Sequence, residues 1–320
     1  YKKAVQPMDL VKELLNGSRL ALARAITAVE SEYDEAIDIM KAIYPKTGHA
    51  RILGVTGAPG AGKSTLTDKI VKQYLQQGKK IGIVAVDPTS PFSGGAILGD
   101  RIRMNDLTLN ENVFIRSMGT RGSLGGLSKK TSDAVKLMDA FGMDLVIIET
   151  VGVGQSEVDI VKNADSVLVV LVPGLGDDIQ AIKAGILEIG DVFAINKADR
   201  DGCDKLNVEI EMMLDLDSRE VKWRPPIKRT IASKDEGVDE LVEALDEHFE
   251  FLEDSDELTV RRQDRTRNEI IAMINEQIGR RVADVVVASD DFNSQVDAVN
   301  QRQNDPYTVV NKVLADVLKI

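Results

Sequence analysis

The run Gly57-Ala58-Pro59-Gly60-Ala61-Gly62-Lys63-Ser64-Thr65 carries the sharpest chemical signal in the chain. Its spacing is Gly-x-x-x-x-Gly-Lys-Ser, with an apolar run at 52–56 before it and a helical pattern over 64–74 after it. Strand, loop and helix in that order turn successive backbone N–H groups toward a phosphate. Gly57, Gly60 and Gly62 let the backbone curl inward, and the helix N-terminus adds partial positive charge. Lys63 is expected to bridge the β- and γ-phosphates and Ser64 to offer its hydroxyl to Mg²⁺. A Gly-rich turn that merely ends a strand is the plain alternative, and the Lys-Ser pair together with both flanking elements argues against it.

A second segment speaks to the base. At 191–199 an apolar strand ends in Asn196-Lys197-Ala198-Asp199. A carboxylate there can accept both N–H groups on the Watson–Crick edge of guanine, whereas adenine presents a different donor pattern. Asp199 is expected to be that group, Asn196 to tie its loop to the phosphate loop, and the stem of Lys197 to lie along the base. Ala232 and Ser233, following another strand-like run, are placed to give backbone N–H groups to the guanine O6. Such a polar site rejects the wrong base because its groups are left unpaired. The expected ligands are GTP and GDP.

Carboxylates at strand ends supply the remaining chemistry. Asp87 follows the run 81–86 and Glu149 ends the run 145–149, so both are expected at the phosphate-loop edge of a sheet. Mg²⁺ takes octahedral oxygen coordination and keeps several waters, through which carboxylates can act. Asp100, on the Gly-rich stretch 94–101, is the third candidate; helix capping or turn formation is the other use of such residues. The stretch 149–157 reads as a switch, in which the Gly152 N–H would bond the γ-phosphate and lose that bond on hydrolysis. Gln155 could orient the attacking water or be an ordinary loop glutamine. Lys63, Mg²⁺ and the loop amides would stabilise charge on the transferring phosphoryl group.

These residues need a scaffold, and the apolar pattern describes one. Short apolar runs at 52–56, 81–86, 113–115, 145–149, 167–172, 192–195 and 227–231 alternate with helical segments. That alternation predicts an α/β fold, a mainly parallel sheet with helices on both faces and ligands at the carboxyl ends of the strands. A helical pattern over 8–43, closed by Pro45, Thr47 and Gly48, precedes it. After 253 the apolar spacing is again helical, at Ile270, Ile271, Ile274 and Ile278 and then Val309, Val310, Val313, Leu314 and Val317. The expected division is an N-terminal helical region at 1–48, a P-loop NTPase domain at 49–253 and a C-terminal helical extension at 254–320. The extension is expected either to meet a partner surface or to pack back on its own domain.

Composition narrows the function further. Across 320 residues the apolar content is 43% and the charged content 29%, as in globular proteins. A net charge of −12 with no basic tract argues against a nucleic-acid partner. One cysteine, Cys203, cannot form an internal disulfide. No apolar stretch reaches the about 18 residues that span a bilayer. The expected location is the cytoplasm, or the mitochondrial matrix after loss of a transit peptide.

The stretches Val86-Asp87-Pro88-Thr89-Ser90-Pro91, Gly94-Gly95-Ala96-Ile97-Leu98-Gly99-Asp100-Arg101 and Glu149-Thr150-Val151-Gly152-Val153-Gly154-Gln155-Ser156-Glu157, lying between the phosphate loop and Asn196-Lys197-Ala198-Asp199, closely resemble the methylmalonyl-CoA mutase-associated GTPases. That family includes bacterial MeaB and ArgK and the human methylmalonic aciduria type A protein. The resemblance implies a homodimeric GTPase chaperone of an adenosylcobalamin-dependent acyl-CoA mutase, using GTP to gate cofactor loading and to protect or reactivate the enzyme. It also implies that Asp87, Asp100 and Glu149 are magnesium-site carboxylates. Residues 173–183 resemble a further mobile loop of the family, implicated in signalling to the mutase; Gly176, Asp177, Asp178, Gln180 and Lys183 lie in it, and an ordinary strand-to-helix turn capped by Asp177 or Asp178 is the other reading.

Two other classes compete with this reading. A metal-insertion GTPase would need a Cys/His cluster, and only Cys203, His49 and His248 are present, far apart in sequence. A protein kinase tied to basic amino-acid transport, as some relatives have been described, would need an acceptor site and preferably ATP, against which Asp199 argues.

Overall fold

The computed structural model describes residues 7–87, 105–119, 126–150, 163–174, 189–216, 222–283, 286 and 290–318. Seven strands, β1 (Arg51–Gly57), β2 (Ile81–Asp87), β3 (Val113–Gly119), β4 (Leu145–Thr150), β5 (Ser166–Leu171), β6 (Val192–Asn196) and β7 (Ile227–Thr230), form one sheet in the order β3-β2-β4-β1-β5-β6-β7. Every pairing is parallel. All seven carboxyl ends therefore lie along one edge. β1 sits centrally, between β4 and β5, where crossovers diverge to either side and a ligand crevice opens.

The strands read as continuous apolar runs because both faces are covered. Ile52, Val84, Val146, Ile148, Val167, Val169 and Phe193 face one apolar cluster; Leu53, Val55, Ile83, Ile147, Leu168, Val170 and Ala194 face the other. The alternation follows the two-residue period of a strand. On the second face lie α4 (Lys63–Gln76) and α8 (Val238–Asp254), contributing Leu66, Ile70, Leu241, Leu245 and Phe249.

The first face is covered by α1 (Pro7–Leu15), α2 (Arg19–Glu30) and α3 (Ala36–Ile43) together with α6 (Gly126–Phe141) and α7 (Cys203–Leu216). The apolar spacing over 8–43 is thus broken into three helices. Ser18 restarts the chain at α2 by accepting from the Ala21 N–H at 3.3 Å. Arg19 then fastens α2 to the approach to β3, donating to the carbonyls of Glu111 and Val113, each at 2.7 Å. Arg116 of β3 returns the link through an ion pair with Glu30. A one-turn helix, α5 (Asn105–Thr108), precedes β3.

Packing divides the chain into compact units at Tyr1–Arg261 and Arg262–Ile320. The N-terminal helices belong to the first unit with the sheet, and the boundary falls inside α9 (Glu257–Val282). The cause is Arg261. Its guanidinium donates to both Asp191 carboxylate oxygens, at 2.9 and 3.0 Å, and to the Asp165 carbonyl at 2.9 Å, so the first turn of α9 stays with the sheet. In the second unit, α10 (Asp290–Asn300) and α11 (Pro306–Leu318) are joined by Lys312 to Asp291 at 2.9 Å, and the turn between them is tied to α10 by Asn304 to Gln295 at 3.1 Å. α9 has no buried residue, and Ile270, Ile271 and Ile274 are about half exposed. Among the described residues no helix is long and apolar enough to cross a membrane.

Candidate functional site

The loop after β1 is shaped by what presses on it. Gly57 has φ +139°, and a Cβ there would lie 2.1 Å from the Val170 carbonyl oxygen of β5. Gly62 caps α4 in the left-handed region at φ +89°, where a Cβ would come within 2.4 Å of Asn196 Nδ2. Both positions exclude a side chain, for steric and conformational reasons. Between them Ala58 and Ala61 are buried while Pro59 and Gly60 form an exposed tip. α4 starts at Lys63, so the first-turn N–H groups of Lys63, Ser64 and Thr65 open toward the loop, with the positive end of the helix dipole behind them.

Lys63 is buried, and its ammonium donates to the carbonyls of Gly57 at 2.7 Å and Ala58 at 3.0 Å. The cation is thereby held inside the loop rather than in solvent. Ser64 Oγ donates to Glu149 Oε1 at 2.5 Å, and Glu149 is only 4% exposed at the end of β4. The first turn of α4 and the end of β4 therefore share a hydroxyl–carboxylate pair beside the loop. Asp87 ends β2, in register with Gly119 of β3, and its backbone lies at the same sheet edge as Glu149. Asp100, Gly152, Gln155 and the loop residues Gly176, Asp177, Asp178, Gln180 and Lys183 lie outside the described residues.

The second half of the site is built from β6 and β7. Asn196, 2% exposed, donates from Nδ2 to the Ala61 carbonyl at 2.8 Å, and its Oδ1 accepts from the Ala232 N–H at 3.1 Å and Thr230 Oγ1 at 3.3 Å. Lys197 takes a left-handed backbone, φ 57°, and its ammonium donates to the Gly60 carbonyl at 2.7 Å. Both side chains thus hold the phosphate loop from the β6 side. Asp199 is half exposed and accepts from Lys234 Nζ at 3.4 Å. Ala232 is buried and Ser233 exposed in a short 3-10 turn after β7.

The structure therefore gathers Gly57 to Thr65, Glu149, Asn196, Lys197, Asp199, Ala232 and Ser233 at one edge, from segments up to 176 positions apart. Sequence reasoning assigned no contact to the side chain of Thr230, the second donor to Asn196, or to that of Lys234, the partner of Asp199. Neither carries a spacing signal, although Lys234 immediately follows the Ala232-Ser233 pair.

The donor set also bears on Mg²⁺. Among the described residues no group of three or more His, Cys, Asp or Glu side chains could hold a metal ion. What the loop offers is one hydroxyl and one nearby carboxylate, oxygen donors that suit a hard cation bound mainly through phosphate and water.

Residues 22–286 match the family model described as methylmalonyl Co-A mutase-associated GTPase MeaB. A protein of Pyrococcus abyssi, named as a GTPase, is 49% identical over 313 residues, covering 97% of this chain and 96% of its own. GTPase ArgK of Escherichia coli is 37% identical over 295 residues, covering 89% and 87%; the mitochondrial methylmalonic aciduria type A homolog of Caenorhabditis elegans is 36% identical over 277 residues, covering 81% and 69%. Among solved structures, that of a LAO/AO transport system kinase matches with a TM-score of 0.73 and 28% identity, covering all of both chains. The fold is that of the P-loop NTPases. The chain is a GTPase and belongs to the methylmalonyl Co-A mutase-associated GTPase MeaB family.

Proposed function

We propose that this GTPase is a nucleotide-gated chaperone of an adenosylcobalamin-dependent acyl-CoA mutase, methylmalonyl-CoA mutase first among them, acting as a homodimer in the cytoplasm or mitochondrial matrix. The observation that carries the proposal is the family match across 22–286, a span that includes both the phosphate loop and the base-binding segment.

In this reading GTP lies along the carboxyl edge of the sheet. The N–H groups of the loop and of the first turn of α4 take the phosphate oxygens, and Lys63, held by the Gly57 and Ala58 carbonyls, neutralises their charge. Asn196 and Lys197 keep the loop in its binding shape through the Ala61 and Gly60 carbonyls. Asp199 accepts from the guanine N–H groups, exchanging its contact with Lys234, while Ala232 and Ser233 present N–H groups to O6. Ser64 would hold Mg²⁺ with Asp87, Asp100 and Glu149 nearby, and the ion would supply charge neutralisation at the phosphates. Gln155 orients water, and Gly152 together with 176–183 carries the nucleotide state to the mutase. The exposed apolar residues of α9 support the homodimer.

The likeness to a transport system kinase keeps phosphotransfer to a protein as a second reading. One experiment separates them: retention of a cobalamin-binding mutase subunit from host lysate, with and without a non-hydrolysable GTP analogue, alongside an assay for labelled phosphate on retained proteins. Nucleotide-dependent retention without labelling supports the chaperone. Labelling of a transport protein, with no mutase retained, overturns it.

A further inference from the structure

The amino-terminal edge of the sheet carries a cavity of about 760 Å³. β1 runs seven residues from Arg51 in this cavity to Gly57 at the phosphate loop, which separates the two places by roughly 20 Å at ~3.3 Å per residue. Its walls come from the segment before β1, the end of α4, the turn between α6 and β4, and α8. The volume falls among those of small-molecule sites, about 300–1,000 Å³.

The hydrogen-bonding state of the walls is lopsided. Every carboxylate is engaged. Glu253 accepts Arg51 Nε at 2.9 Å and Nη2 at 3.0 Å; Asp246 accepts Tyr74 Oη at 3.1 Å and Arg51 Nη1 at 3.5 Å. Asp139 accepts the N–H groups of Gly48, His49 and Ala50 at 2.5, 3.2 and 2.9 Å, and Asp144 accepts that of Lys80 at 2.7 Å. Burial and Asp246 push the Tyr74 hydroxyl well above the usual phenol range, so it stays a donor. The side chains of Lys46, His49 and Lys79, in contrast, are exposed on the rim and make no hydrogen bond or ion pair with a described residue. Ala140, Met143 and Leu145 add apolar wall between them.

A hollow whose four carboxylates each hold a protein donor, and whose rim carries two ammonium groups and an imidazole without partners among the described residues, suits a ligand that brings acceptors of its own. We propose that this cavity is a second ligand site, which takes a small organic anion with its charged end among Lys46, His49 and Lys79 and its apolar body against Met143 and Leu145. The inference is independent of the mutase reading.

The test uses the full chain saturated with a non-hydrolysable GTP analogue, so that the phosphate loop is closed to added anions. Calorimetric titration with phenyl phosphate, benzoate and inorganic phosphate is compared between the wild type and Lys46→Ala/Lys79→Ala. Saturable binding of one phenyl phosphate per chain, at least tenfold tighter than inorganic phosphate and at least tenfold weaker in the variant, is the expected result, with GTP hydrolysis and melting temperature unchanged. Phenyl phosphate and benzoate then tell whether phosphate or carboxylate is preferred. No saturable binding of either organic anion, or equal binding by the variant, overturns the proposal. Should the alanine pair melt lower, Lys46→Gln/Lys79→Gln keeps most of the side chain and removes the charge, and the same fall in affinity is required of it.

Discussion

Asn196 Nδ2 donates to the Ala61 carbonyl at 2.8 Å across 135 positions of sequence, while its Oδ1 accepts the Ala232 N–H at 3.1 Å. One amide side chain thereby joins the phosphate loop, the end of β6 and the turn after β7. Asn196→Ala leaves the buried Ala232 N–H without its acceptor, which costs about 1–3 kcal/mol. GTP affinity is expected to fall at least tenfold and the melting temperature by several degrees. Nucleotide titration and a thermal melt check both; retained affinity would mean that the loop keeps its shape unaided.

Gly62→Ala acts on the same contact from the other side. The new Cβ meets Asn196 Nδ2 at 2.4 Å and must also occupy φ +89°, a left-handed backbone that costs roughly 1–2 kcal/mol for an L-residue. Loss of nucleotide binding with the sheet still folded is expected, measured by titration beside circular dichroism. Wild-type affinity in this variant would show that the loop has room the structure does not indicate.

Asp199→Asn replaces an acceptor by an amide that can also donate. Preference is expected to move from guanine toward xanthine nucleotides, read as the ratio of GTP to XTP affinity. An unchanged ratio would remove Asp199 from base recognition.

Glu149→Gln keeps the shape beside Ser64 Oγ and removes the charge. Hydrolysis at saturating GTP is expected to drop about ten- to a hundredfold, the range found when a group supporting a metal site is lost, and the Mg²⁺ concentration giving half-maximal rate to rise. Chelation of Mg²⁺ should stop the wild type. A variant that hydrolyses GTP normally with unchanged Mg²⁺ dependence would put Glu149 outside the metal's surroundings.

His248 predicts a pH dependence of stability. It is fully buried, with Nδ1 2.8 Å from Ser166 Oγ. Burial lowers its pKa to about 4 from 6.5; Asp191 at 3.4 Å from Nε2 opposes the shift and Arg261 adds to it. The unfolded chain therefore binds a proton between pH 6.5 and about 4 that the folded chain refuses. Stability from this group is complete above pH 6.5, declines as pH falls through that window and is flat below it, with a total on the order of 3 kcal/mol. Urea denaturation at pH 7, 6, 5 and 4.5 should show the decline in the wild type and a shallower one in His248→Gln. Parallel curves for the two proteins would contradict it.

Much of the fold was legible in the residues because it depends on local pattern. The apolar runs at 52–56, 145–149 and 192–195 became β1, β4 and β6 with one or two residues added, since a strand buried on both faces leaves a continuous apolar signature. The N-terminal spacing over 8–43 was helical throughout, yet the chain turns at 16–18 and 31–35. A three- and four-residue period survives such breaks, so it could not mark them.

What spacing determined by itself was the kind of chemistry: a glycine-framed anion loop ending in Lys63-Ser64, and an Asn-Lys-x-Asp segment at a strand end. What only tertiary structure decided was the set of contacts among distant segments. Strand order placed β4 and β5 on either side of β1, bringing Glu149 to Ser64 and Val170 against Gly57. Packing gave Asn196 its partners, kept Arg261 with the sheet and left a cavity between the start of β1 and α8. Local periodicity is set by neighbours a few residues away, whereas these pairings depend on how whole strands and helices share a core, and no short stretch of sequence contains that information.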